Sequence, residues 1–439
     1  MAWNARVERR GLATPLDPSA DSQFPLEIWA SPEASVARIS HDEVRDQLAE
    51  TGHEARFADI DLLADLGVAA VRYPVLWEKC APDEPNRFAW SWVRERLERL
   101  RERGVEPIVT LLHHGSGPRY TSLVDPNFPR LFAAYAGAAA ASFPWVRRWT
   151  PINEPLTTAR FSTLYGFWYP NLVDDHAAFG RAIANEMLGT LLAMEAIREH
   201  VPEAEFVLTE DLQGFVARSP RAAAYAAHKS ERSYLSIELA MGRVVEGHSL
   251  HAYLRETCRL PRQFLEAIAA HASAPNLVGW NYYPNSERTL DVDLDRGVSN
   301  RATNDVGPHA ITPRPLLRAA HERLGLPFAL SEAHLDGDEA ARVRWLRDRY
   351  EDVVALRAEG LPARAFGAWA AFGMVDWRSL LRRRDSHAED GLYTLAAPGS
   401  TPRFTKAAEA IAELASGPPG RPRNHAVAGA GPILTGRLR

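Results

Sequence analysis

Eight short runs of apolar and β-branched residues recur along the chain, separated by longer stretches with helical periodicity. The runs cover Leu26–Glu33, Val68–Trp77, Glu106–His114, Arg147–Pro155, Glu205–Leu212, Leu277–Tyr283, Pro327–His334 and Ala365–Trp377. Several are continuously apolar, the pattern of strands buried on both faces of a parallel sheet. Between them the spacing predicts helices over Phe57–Leu66, Trp90–Arg103, Phe128–Ser142, Ala177–His200 and Asp338–Glu359. Gly67, Gly104 and Gly360 directly follow three of these, as C-capping glycines do. Strands alternating with helices in this number predict an α/β chain folded as a single (β/α)8 TIM barrel. A doubly wound sheet would bring a Gly-rich phosphate loop after an early strand, whereas the first run leads into Ser31-Pro32-Glu33. The barrel is expected over residues 23–415, with irregular tails over 1–22 and 416–439 and a long loop over Asp291–Pro315.

Composition excludes several classes of function. The 439 residues hold 51 Lys+Arg against 56 Asp+Glu, with 46% hydrophobic and 24% charged residues. These proportions exclude whole-chain disorder, and they leave no electrostatic footprint of a nucleic-acid binder. No apolar run approaches the ~20 residues that cross a bilayer, so no membrane partner is expected. The first 22 residues lack the apolar core of a secretory signal, which makes a cytoplasmic location the default expectation. Cys80 and Cys258 make neither a disulfide framework nor a metal site. His53-Glu54 and His321-Glu322 are not followed by the second His of a metalloprotease helix, and no Gly-x-Ser-x-Gly elbow occurs. No metal and no cofactor are therefore expected. Homo-oligomerisation is left open.

In a barrel of this class the active site lies at the C-terminal ends of the strands. The predicted strand ends carry Glu33; Arg72 and Trp77; His113-His114; Asn153-Glu154-Pro155; Glu210-Asp211; Asn281-Tyr282-Tyr283; Glu332 and His334; and Trp369, Asp376 and Trp377. Carboxylates, amides and aromatics at one mouth suit a carbohydrate. Two carboxylates across a cleft are the minimum equipment for cleaving a glycosidic bond.

At these positions the chain resembles glycoside hydrolase family 1, the β-glucosidase and β-galactosidase family of clan A. The run Trp149-Thr150-Pro151-Ile152-Asn153-Glu154-Pro155 resembles the acid/base motif that closes strand four. Arg72 with Tyr73-Pro74-Val75-Leu76-Trp77 resembles the strand-two motif, and Leu112 to Pro118 the glycone-histidine motif. Asn281-Tyr282-Tyr283 resembles the strand-six motif, Leu330-Ser331-Glu332 the nucleophile motif, and Trp369 to Trp377 the last-strand motif. The likeness runs from about Leu26 to Leu414. It is closer to a divergent branch with similar runs at 113–118, 153–161 and 164–170. Longer members of that branch carry a C-terminal domain resembling dTDP-4-dehydrorhamnose reductase, which this chain is expected to lack.

The resemblance implies a retaining β-glycosidase with Glu332 as nucleophile and Glu154 as acid/base. Arg72 and Tyr283 would assist catalysis by favouring the charged form of Glu332. Glu33, His114, Asn153, Asn281, Trp369, Asp376 and Trp377 would bind the substrate, with His113 the alternative to His114. A transglycosylase using the same carboxylate pair is the alternative activity. The sugar-holding shell departs from the family pattern. The nucleophile motif reads Ser331-Glu332-Ala333-His334 in place of Thr-Glu-Asn-Gly. Glu33 stands near the position of a sugar-binding Gln, and Asp376 at that of a Glu gripping two hydroxyls. An altered glycone pocket is the expectation.

Overall fold

The computed structural model describes residues 25–293, 297–302, 312–396 and 400–417, without the side chains of residues 292–302. Eight strands close a barrel: β1 (Glu27–Ala30), β2 (Ala70–Pro74), β3 (Glu106–His113), β4 (Arg148–Asn153), β5 (Glu205–Asp211), β6 (Leu277–Tyr282), β7 (Phe328–Ala333) and β8 (Ala363–Ala368). Neighbours pair in parallel around the ring, and β1 joins both β2 and β8. Trp29, Ala70, Ile108, Val207, Leu277, Ala329 and Ala365 pack together as a cluster of their own, one from each of seven of these strands. The predicted (β/α)8 barrel is what the chain forms.

The five predicted helices occur as Asp59–Asp65, Ser91–Glu102, Phe128–Ser142, His176–His200 and Glu339–Ala358. Two of them start at side-chain caps: Asp175 accepts from Ala178 N at 2.8 Å and Asp338 from Ala341 N at 2.7 Å. Two expectations need correction. The eighth strand ends at Ala368 rather than at Trp377. Beyond it the chain turns, and Met374–Val375 pairs antiparallel with Ala388–Glu389. The segment Asp291–Pro315 is not simply a loop. Glu287–Asp293 pairs antiparallel with Gly297–Ala302 and parallel with Gly214–Ala217, and the helix Arg314–Leu324 follows. This small sheet forms because Leu290 buries itself against Ala222 and Ala226. The expected tail 1–22 and residues 418–439 of the other lie outside the described residues, while Ser416 closes the helix Lys406–Ser416.

The barrel is irregular where function is expected. Pairing between β6 and β7 shifts register between Leu330 and Glu332, leaving Ser331 as an extra residue that re-aims Glu332. Two glycines on the flanking strands make room for it. A Cβ on Gly367 would lie 2.2 Å from Ser331 O, and one on Gly279 would lie 2.7 Å from Ser331 Oγ. Gly367→Ala should therefore cost about 3 kcal/mol, the upper end of the overpacking range, because backbone is what stands in the way. Gly325→Ala, at a left-handed φ of 69° with open space around it, should cost only roughly 1–2 kcal/mol. Urea unfolding of the two variants checks this order; equal costs would show that Gly367 is not needed for the bulge.

Candidate active site

Glu154 follows β4 and precedes the helix Pro155–Thr163. Its backbone is left-handed at φ 48°, with its N–H donated to Thr209 O at 3.1 Å. Non-glycine residues adopt this region rarely, and chiefly where surrounding structure forces it. The bend turns the carboxyl into the mouth, where Glu154 is 5% exposed. Asn281 Nδ2 donates to Glu154 Oε1 at 2.6 Å.

Glu332 lies opposite, 1% exposed. Arg72 Nη1 donates to its Oε1 at 2.5 Å, and the Tyr283 hydroxyl donates to its Oε2. The second arm of Arg72 donates to Asn153 Oδ1 at 2.8 Å. That oxygen also accepts from Thr209 Oγ1 at 2.8 Å and Asn281 Nδ2 at 3.3 Å. Asn153 Nδ2 lies 3.2 Å from His113 Nε2.

The two carboxyls sit in different fields. Burial pushes Glu154 well above the usual carboxylate range, and the charges of Asp211, Glu332 and Glu210 push the same way. The Asn281 bond opposes them. Burial also raises Glu332, but Arg72 and the Tyr283 hydroxyl pull it back. The proton therefore belongs on Glu154 and the charge on Glu332. Arg72 and Tyr283 act in the expected direction, although burial outweighs them in the net shift of Glu332.

Both carboxyls line a cavity of about 680 Å³. Glu33, His113, His114, Tyr283, Trp369 and Trp377 share its wall. Glu33 Oε1 accepts from Ser35 N and Oε2 from Trp369 Nε1, each at 2.8 Å, and burial lifts its pKa to about 7. The two histidines, left as alternatives by the sequence, both reach the wall. His113 stacks on Trp369 with ring centres 5.2 Å apart. His114 places Nε2 at 3.9 Å from Glu154 Oε2. Burial pushes His113 well down and His114 to about 3, so both rings are neutral.

Three expected substrate ligands stand behind the wall instead. Asn153 and Asn281 are fully buried, with their amides spent on the network that joins Arg72 to Glu154. Ser331 Oγ takes the remaining Asn281 oxygen at 2.7 Å. Asp376 is 2% exposed and left-handed at φ 59°. Its Oδ2 accepts from Arg45 Nη2 at 2.9 Å and its Oδ1 from His387 N at 2.8 Å. The buried Arg45 guanidinium draws this carboxylate away from the cavity.

The wall also holds residues that had not been named as ligands, among them Asp211, Thr157, Arg288, His334, Asp336 and Glu389. Asp211 ends β5 and His334 directly follows β7, and that position was their signal. Arg288 and Glu389 come from short pairings outside the barrel, and no strand-end reasoning leads to them.

The family model Glycosyl hydrolase family 1 matches residues 27–313. β-Glucosidase A of Thermotoga maritima is 24% identical over 285 residues, which span 62% of this chain and 63% of that protein. A 6-phospho-β-glucosidase of Dickeya chrysanthemi is 22% identical over 360 residues, 72% of this chain and 75% of its own. The β-glucosidase from Thermotoga maritima solved in complex with castanospermine superposes with a TM-score of 0.75 at 17% identity, covering 90% of this chain and 98% of that one. That likeness shows the shared barrel. With its family match running across six of the eight barrel strands, the chain belongs to glycosyl hydrolase family 1.

Proposed function

We propose that the chain is a retaining β-glycosidase acting on a small carbohydrate or glycoside. The observation that carries this is the unequal pair: Glu332 is tied to a guanidinium and a phenol, while Glu154 faces other carboxylates. Glu332 attacks the anomeric carbon as Glu154 protonates the departing oxygen, forming a glycosyl ester on Glu332. Glu154, now ionised, takes a proton from water, which displaces the sugar and restores Glu332. Double displacement returns the starting anomeric configuration. An alcohol taking the place of water would give transfer, and product analysis with an added acceptor separates the two outcomes.

We further infer membership of the divergent branch and an altered glycone pocket. Support comes from Asp376, which is held by Arg45, and from Glu33, a carboxylate in place of an amide. Above about pH 7, where Glu33 is ionised, it only accepts hydrogen bonds, whereas an amide also donates. β-Glucosides and β-galactosides should then be poor substrates against another β-glycoside in a nitrophenyl panel. Family-typical efficiency on β-glucosides would remove the argument and leave the catalytic pair untouched.

Glu332→Gln should abolish turnover of every glycoside that the parent cleaves. Glu154→Gln should lose about 10²–10⁴-fold on poor leaving groups and far less on dinitrophenolates, which need little protonation. Anomer detection by NMR during parent turnover should show retention. Comparable losses on both leaving-group classes would end the assignment of Glu154 as the acid.

The pH dependence follows from the two fields. Activity needs Glu332 ionised and Glu154 protonated, so the rate falls at low pH as Glu332 gains its proton and at high pH as Glu154 loses its own. Asp211 is the strongest charge raising Glu154. Asp211→Asn removes that charge and should move the basic limb of kcat/KM to lower pH. An unmoved basic limb would show that Asp211 does not set the acid.

A further inference from the structure

Beside the catalytic pair, the cavity wall holds a second cluster. β7 leads into His334-Leu335-Asp336, and the pairing of Met374–Val375 with Ala388–Glu389 brings His387 and Glu389 against it. His334 Nδ1 lies 3.1 Å from Trp369 O, which can only accept, so Nδ1 carries the hydrogen. Its Nε2 lies 3.2 Å from Glu389 Oε2. Glu389 is 6% exposed, and its Oε1 has no hydrogen-bond partner among the described residues. That oxygen faces His387 Nε2 at 4.0 Å, and the same nitrogen lies 2.9 Å from Asp336 Oδ2. One imidazole nitrogen and two carboxylate oxygens thus lie within 4.8 Å of one another.

The spacing suits an ion. Ligands at about 2.0–2.1 Å from a tetrahedral metal stand about 3.3 Å apart. The observed 2.9 and 4.0 Å straddle that value. Asp336, half exposed, can open the shorter contact, and the partly exposed His387 ring can rotate toward Glu389 to close the longer one. Two carboxylates from separate segments converging on one imidazole nitrogen, with an oxygen of Glu389 open to the cavity and without a donor, are what a dication would neutralise. We propose that Asp336, His387 and Glu389 bind a divalent cation of the zinc class, with His334 orienting Glu389. The mixed nitrogen and oxygen donor set favours zinc over calcium.

Asp376 finds its place here. Its N–H donates to His387 O at 2.8 Å and its Oδ1 accepts from His387 N, so it fixes the backbone that presents the imidazole. Asp336 and Glu389 both line the cavity, so the open coordination position faces it. A pair of sugar hydroxyls there would take up the binding role that Asp376 has given up. That last step rests on the glycosidase reading, whereas binding of the ion does not.

Calorimetric titration of zinc into the chelator-treated full chain tests the site. The parent should bind one zinc per chain, more tightly than it binds calcium. Asp336→Asn, at an exposed position safe for folding, and His387→Gln should each weaken zinc by at least about 10-fold. His271→Gln, at a surface histidine paired with Glu195, should change nothing. The absence of stoichiometric zinc, or equal affinity in Asp336→Asn and the parent, would overturn the proposal and leave a proton between His334 and Glu389. The titration reads binding rather than turnover, so its failure is separable from failure of the catalytic assignment.

Discussion

One buried guanidinium organises the mouth of this barrel. Arg72, on β2, reaches Glu332 on β7 with one arm and Asn153 on β4 with the other. Asn153 passes the connection to Thr209 on β5 and Asn281 on β6, and Asn281 holds Glu154. Five strands are thereby tied through buried side chains, of which Glu332 also meets the cavity. A charge so buried costs several kcal/mol unless it is paired and hydrogen-bonded, and leaving one partner alone would cost about 3–5 kcal/mol. The network therefore stabilises the barrel mouth and sets the direction of both carboxyls at once.

The same burial that makes the pair expensive separates its roles. Both acids are raised by desolvation, and what distinguishes them is their company. Glu332 has a cation and a phenolic donor, while Glu154 has carboxylates around it and a single amide donor. Backbone strain contributes to the placement: His114, Glu154 and Asp376 all occupy the left-handed region at bends beyond barrel strands. Such bends persist because the packing on either side allows no other path.

The far wall of the cavity is built differently. There the chain leaves the regular barrel, and Arg45 on the short strand Val44–Asp46 captures the Asp376 carboxylate. With that carboxylate withdrawn, His334, Asp336 and Glu389 form the surface. Glu154 and Glu332 thus share their cavity with a wall of imidazole and carboxylate groups.

Much of this was legible in the residues. Continuous apolar runs and capped helices marked the barrel because local hydrophobic periodicity and capping act within a few residues. The Ala-rich helix is found at its expected bounds, Phe128–Ser142. Arg288-Thr289-Leu290-Asp291-Val292-Asp293 alternates like a strand, yet its acid content reads as a loop; only pairing with Gly214–Ala217 decides the matter. Family membership was also readable, since Asn-Glu-Pro and a second Glu at strand ends are local facts. Which amide meets substrate and which is spent on the network was not readable. Asn281 and Glu154 stand 127 residues apart, and Arg45 and Asp376 stand 331 apart. What the sequence alone determined was the barrel and the strand ends at which Glu154 and Glu332 stand. Tertiary structure alone decided their unequal protonation and the withdrawal of Asp376, because desolvation and ion pairing depend on neighbours that only the closed barrel brings together.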